Sequence, residues 1–473
     1  MRPRYYQASA LGPHRPMSWR LRWTHPAIIL LAVILLATIE PVFAAGGERP
    51  AAGHERATIT MWFWGASPAY RQVLQEALVN PFNSRQDKYR LVIEYRTTVD
   101  SDVRISAIAN RGPDIIYTSG PATVSPLGKA GKLAPLETYA KRYGWDDRLL
   151  APVLDACRQY THLYCVTPSL CVNGMFYNKA VLRENGWPIP KTLQEVEAVM
   201  KAAQAKGMYA SVTGNSGWQP VNEDYISIFL NQLVGPAKIH DLLTGRLKWS
   251  SPEVEAAVVE LDRWYKAGYL GGSDYFVLDF ESSLALLHQK RSPFFFAPSF
   301  SFQWAVNYFK GSEADDLGFA PFPRLNPALP YPIYDVGSAF TLSINANSLV
   351  KDGAAQVLDM ILSPEFVLAV SKQWPGYWSI PFKNFPSDQT ATGVAKSYYQ
   401  SMADISAAVK AGGFGYNAAS YFPNATKDLL VQDLEVVWLD QETPREMLMR
   451  ADRVFAKERA RGLGIDEIPL SHF

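Results

Sequence analysis

Between residues 58 and 119 the chain alternates short strands with helices. TITMWFW (58–64) is β-branched, aromatic and alternating, so it reads as a strand. SPAYRQVLQEALVNPFN follows, with Ser67 as N-cap, Pro68 at the first helical position and apolar residues recurring at helical spacing. YRLVIEYRT (89–97) predicts a second strand, VRISAIAN a second helix and DIIYTS a third strand. Strands that succeed one another in this way run parallel, and their crossover helices cover both sheet faces. In open sheets of this type ligands bind beyond the carboxyl ends of the strands. WFWGASP and IYTSGPA are two such ends. They place Trp64 and Ser67 on one rim with Thr118, Ser119 and Gly120, while Pro121 opens a helix whose N-terminal amides face the cleft.

The rest of the chain repeats this vocabulary. KTLQEVEAVMKAAQAKG (191–207) is an amphipathic helix with a Thr192/Glu195 capping box, and PEVEAAVVELDRWYKAG (252–268) is another that stops at Gly268. A helix and a buried FFFA strand follow, then a proline-rich segment, LGFAPFPRLNP, then GSAFTLSINAN and the helix 352–363. With 473 residues the chain exceeds one ordinary core, so two lobes are expected.

Ahead of the fold, Arg15, Arg20 and Arg22 precede the apolar run 27–39, and small residues surround Ala44 and Ala45. This pattern reads as a secretory signal over residues 1–44, with a retained N-terminal anchor as the alternative. Its removal takes away five arginines and one glutamate and moves the net charge from +1 to −3. Without a basic patch, nucleic acid is not an expected partner. In an exported chain Cys157, Cys165 and Cys171 allow one disulfide with one thiol left over, or three reduced buried thiols. No Cys/His spacing suggests zinc, and no cofactor is expected. Beyond the leader the histidines are 54, 162, 240, 288 and 472, with no HExxH, nucleophile elbow or P-loop. An enzyme is therefore not expected, although paired carboxylates for glycoside hydrolysis stay open in a chain with 45 acidic residues.

The order of these segments resembles the extracellular solute-binding proteins of carbohydrate ABC transporters, the maltose-binding-protein-like family. The resemblance is carried by TITMWFW, RGPDIIYTSG, AGKLAPL, YCVTPSLCVNGMFYNK, PIPKTLQEV, SSPEVEAAVVELDRWYKAGYL, FAPFPRLNP, GSAFTLSINAN and ILSPEF, co-linear from Thr58 to Phe382. The family's Gly-Lys-x-Tyr-Gly is replaced by Thr161-His162-Leu163-Tyr164-Cys165. The loop Thr118-Ser119-Gly120 stands where maltose binders carry aromatic and charged groups, which leaves the sugar open. The resemblance implies a periplasmic-binding-protein-like α/β fold of two lobes joined by a multi-strand hinge. Lobe 1 is expected over 58–168 and 319–362 and lobe 2 over 169–318 and 363–473, with crossings at 165–171, 317–323 and near 362–365.

A neutral, hydroxyl-rich ligand needs flat apolar faces and a ring of hydrogen-bonding groups. Of the thirteen Trp, Trp64, Trp218, Trp304, Trp374 and Trp378 fall at predicted element ends among small and polar residues. Ser119, Asn215, Gln219 and Asn222 are polar candidates. By resemblance, Asp335 and Gly337 stand in a turn that faces the ligand, and Asp335 could accept two sugar hydroxyls. Asp114 is expected to orient its corner without touching ligand. The expected function is that of a monomeric periplasmic sugar-binding component of an ABC importer, closing like a hinge and delivering its ligand to permease subunits, with the ATPase engaged indirectly. A periplasmic glycoside hydrolase, a sensing module for a membrane kinase, and a polyol or glycerol phosphate as ligand remain alternatives.

Overall fold

The computed structural model describes residues 56–159, 162–216 and 221–463. Eleven strands occur in it: β1 (Ala57–Trp64), β2 (Tyr89–Arg96), β3 (Ile115–Thr118), β4 (Arg158–Gln159), β5 (His162–Leu163), β6 (Leu170–Asn178), β7 (Phe294–Pro298), β8 (Leu317–Ala320), β9 (Tyr334–Ser338), β10 (Thr341–Ile344) and β11 (Phe414–Tyr416). The leader, Trp218 and Gln219 lie outside the described residues.

The first sheet has the order β10-β3-β1-β2. The pairs β1/β2 and β1/β3 are parallel, as the alternation requires, and β10 closes the edge antiparallel to β3. In β1 the side chains Ile59, Met61 and Phe63 are buried, while Trp62 and Trp64 on the other face are partly exposed. The helix after β1 starts at Pro68, and the Ser67 hydroxyl accepts from the Tyr70 N–H at 3.4 Å. Asp114 holds its corner as expected: one carboxylate oxygen accepts from the Thr60 N–H and hydroxyl at 2.8 and 2.9 Å, the other from the Ser348 hydroxyl at 2.7 Å.

The second sheet is built on β6, whose nine residues are all buried. It pairs antiparallel with β7, β8 and β9, and β11 adds parallel to β9. A strand buried on both faces loses the alternating pattern, which is why LCVNGMFYN reads poorly from sequence. The capping box of Thr192 and Glu195 forms, and its helix runs Leu193–Ala205. Cys157 and Cys165 are bonded and bracket the small β4/β5 hairpin, while Cys171 is a buried free thiol.

Three segments carry the chain between the sheets, two of them side by side and the third between Phe382 and Gly393. Residues 166–170 and 338–342 run antiparallel. The Val166 and Leu342 N–H groups each donate to the other's carbonyl at 2.9 Å, and the Ala339 N–H donates to Ser169 at 3.0 Å. The chain returns to the first sheet after Ser338, not at the expected 317–323 crossing, because β8 stays hydrogen-bonded to β6 in the second sheet. Residues 319–338, assigned from sequence to lobe 1, therefore belong to the second sheet. The segment around Leu362 also differs from expectation. Arg148 binds the Leu362 carbonyl at 2.9 Å and Asp359 at 2.5 Å, so this stretch stays on the first-sheet side, and Phe382 still bridges Leu149 there. The chain next packs against β8 with the helix Gly393–Lys410.

Candidate functional site

A cavity of about 840 Å³ lies where the two sheets meet. From the first-sheet side come Trp64, Tyr70, Asp100, Tyr117, Ser119 and Thr123; from the second, Cys171, Asn215, Glu223, Asp224, Phe300, Gln303 and Trp304. Ser338 and Ala339 contribute from the crossing segment, and Tyr377 and Asn417 from later loops.

The aromatic wall is a column of rings. Tyr70 stacks on Trp374 at 4.0 Å, Trp374 on Tyr377 at 4.7 Å, Tyr377 on Phe340 at 5.2 Å and Phe340 on Tyr117 at 5.2 Å. Trp64 leans on this column at 5.7 Å from Tyr377. A second ring cluster has Trp304 stacked on Phe280 at 5.5 Å and edge-on to Phe300 at 5.9 Å. Large rings fixed by other rings keep flat faces available to a ligand with little conformational entropy left to lose.

The polar wall is mainly one helix, Asn424–Trp438. Asn424, Lys427, Asp428, Val431 and Glu435 share one of its faces and line the cavity. The buried helix Val221–Phe229 starts beside it and presents Glu223 and Asp224 in its first turn. Lys427 pairs with Glu223 at 3.1 Å. Glu435 accepts from the side-chain amides of Asn215 and Asn222, and the Asn215 Oδ1 accepts from the Val221 N–H at 3.2 Å. Burial pushes Glu223 above the usual carboxylate range, opposed by Lys427. Burial pushes Asp224 well above it, helped by the neighbouring charges of Glu223 and Asp335. Asp100 is also raised by burial, while the Ser119 N–H, donating to it at 3.1 Å, pulls the other way.

The expected residues divide into three groups. Trp64, Ser119, Asn215 and Trp304 line the cavity together. Trp374 and Trp378, expected on the rim, are fully buried behind it. Trp374 is the middle of the ring column with its indole N–H on Gln303 at 2.8 Å, and Trp378 stacks on Phe63 in the core at 5.5 Å. Between them Tyr377, itself largely buried, takes the place at the cavity, because the turn QWPGYW packs its two indoles behind the lining. Thr118 is buried with its hydroxyl 2.5 Å from that of Thr341, Ser67 is spent as a helix cap, and Gly120 packs behind Ala419 and Ser338. Asp335 and Gly337 are strand residues of β9, not a ligand-facing turn. Both Asp335 oxygens accept from Asn173, at 3.0 and 2.6 Å, and Gly337 lies where a Cβ would come within 2.7 Å of Asn417. Asn222 lies fully buried below the lining.

Sequence reasoning missed Tyr70, Tyr117, Gln303, Tyr377, the acidic pair and the helix 424–438. For that helix a signal exists: Asn424, Lys427, Asp428 and Glu435 form a polar stripe, and Leu430, Leu434 and Trp438 form the buried face.

The model of the bacterial extracellular solute-binding protein family matches residues 67–367. The chain belongs to this family. Among curated solute-binding relatives, the diacetylchitobiose binding protein NgcE of Streptomyces coelicolor is 22% identical over 280 residues, 56% of this chain and 58% of its own length. A probable sugar-binding periplasmic protein of Mesorhizobium japonicum is 31% identical over 99 residues, 20% of this chain and 24% of its own. The chain thus spans less than two thirds of either relative. In fold, the solute-binding protein is similar to a chitin oligosaccharide binding protein, with TM-score 0.70, 17% identity and coverage of 86% of this chain and 99% of that one. It is also similar to the receptor AcbH, with TM-score 0.66, 14% identity and coverage of 86% and 99%. The two-lobed α/β architecture expected from the sequence is the architecture of these solute-binding proteins. Family and neighbours are binding proteins.

Proposed function

We propose that the chain captures a sugar in the cavity between its two sheets, closes over it by bending at residues 166–170 and 338–342, and delivers it to the permease subunits of an ABC importer. On this reading Trp64, Ser119, Asn215 and Trp304 contact the ligand, joined by Tyr70, Tyr117, Gln303 and Tyr377. The observation that carries it is the composition of the two walls. Ring faces suit the C–H surface of a pyranose, and the facing amides, hydroxyls and carboxylates suit its hydroxyls. The sugars for which two similar proteins are named, diacetylchitobiose and chitin oligosaccharides, are of the same chemical class. A phosphate-bearing ligand is disfavoured, because Lys427 is the one cationic side chain among the described lining residues and is tied to Glu223. Arg291 and Arg324 do not line the cavity.

Closure follows from differential affinity: a ligand touching both walls binds the closed form more tightly and shifts the population towards it. The test is a thermal-shift screen of the purified protein against mono- and oligosaccharides, polyols and glycerol phosphates, with calorimetry on hits and product analysis alongside. Stoichiometric binding of a sugar without conversion is expected. Conversion of the sugar, or stabilisation by glycerol phosphates alone, would overturn the proposal.

A further inference from the structure

The cavity is lined by more acids than bases. Its described lining residues include five carboxylates, Asp100, Glu223, Asp224, Asp428 and Glu435, against the single ammonium of Lys427. Asp224 is 5% exposed, and its Oδ2 has no hydrogen-bond partner among the described residues. Its electrostatic neighbours are Glu223 and Asp335, so the same buried pocket crowds like charge around it. The amino end of the helix Val221–Phe229 supplies about half a positive charge to its first turn, too little to offset these groups. The Asn173 side chain hydrogen-bonds the carboxyl and opposes that crowding, but a buried carboxyl with one oxygen unpaired is costly, and a cationic donor relieves it more fully than a hydroxyl does. The described residues contain no group of three or more side chains able to hold a metal ion. Burial and the acidic neighbours favour the neutral form of Asp224, and an ammonium group brought by the ligand is the donor that favours its ionised form and pairs the free oxygen.

We infer that the ligand is an amino sugar with a free, protonated amine, seated against Asp224 and Glu223 while its ring lies on the aromatic wall. This inference rests on the sugar-capture reading and narrows it to a cationic glycan. A neutral or N-acetylated sugar cannot supply that charge.

The test compares matched ligands on the wild-type protein by thermal shift and calorimetry at pH 6, where the sugar amine is charged. The probes are glucosamine and its β-1,4 disaccharide, the N-acetylated forms, the neutral forms glucose and cellobiose, the galactose and mannose counterparts, and spermidine as a cation without a ring. An amine-bearing sugar binding about tenfold or more tightly than its neutral and N-acetylated partners is expected. Asp224→Asn should remove that preference while retaining residual binding of the same sugar. Equal or tighter binding of neutral or N-acetylated sugars overturns the inference and leaves the sugar reading intact. Binding of spermidine alone overturns the sugar reading, and binding of no probe overturns both.

Discussion

Trp64 is half-buried, leans on the ring column and turns its remaining face to the cavity. Trp64→Ala should weaken ligand binding by about 2 kcal/mol, readable as a rise in Kd of roughly thirtyfold by calorimetry, while the folded baseline persists. Asp335 belongs to stability instead. Burial pushes its pKa from 3.8 up to about 7, with the two donations from Asn173 resisting. Between those values the folded protein holds a proton that the unfolded chain has released. Stability is therefore full below the unfolded pKa and falls as pH rises towards 7, by a few kcal/mol from this group. Urea midpoints from pH 4 to 8 should show the decline, and Asp335→Asn should flatten it. The reason is local: Asn173 Oδ1 has no partner among the described residues and can turn to meet the new amide.

At the scale of elements, the helices whose ends are written in the sequence form as written. Thr192 receives the Glu195 N–H at 3.3 Å and the Glu195 carboxylate accepts from the Thr192 N–H at 3.2 Å, so Thr192→Ala should cost about 1 kcal/mol in chemical denaturation. The bond between Cys157 and Cys165 closes a short loop, with sequence separation 8, and both sulfurs are buried. Replacing the pair by serine should lower stability by about 2–3 kcal/mol, since the unfolded chain regains the freedom of that loop. A reductant should do the same only after the hairpin opens, because the sulfurs are not accessible. The helix 424–438 carries a periodicity that the sequence reading did not use, and nothing local marks its polar stripe as a cavity wall and not a solvated face.

For the whole molecule, the crossing segments are few, and 166–170 and 338–342 are joined to each other by backbone hydrogen bonds, so the hinge can bend without breaking either sheet. A ligand at one hundred times its Kd should stabilise the protein by about 2.7 kcal/mol, and the radius of gyration in solution scattering should fall as the lobes approach. An unchanged scattering curve at saturation would argue against hinge closure. Gly337 tests the coupling between hinge and cavity. A methyl there collides with Asn417, which lines the site, so Gly337→Ala should impair binding as well as folding.

Local pattern was sufficient for the strand and helix order of residues 58–119, the caps at Ser67 and Thr192, the corner held by Asp114 and the family to which the chain belongs. Each of these depends on neighbours within a few residues or on the linear order of segments. The partner of Cys157, the strand on which Asp335 sits, the burial of Trp374 and Trp378 behind Tyr377, and the acidic wall opposite the rings were decided by tertiary structure. They depend on contacts between residues far apart in the chain: Asn173 reaches Asp335, Tyr70 reaches Trp374, and Asn215 reaches Glu435. Whether a side chain faces a core or a ligand is settled by what packs against it, and one-dimensional order does not contain that.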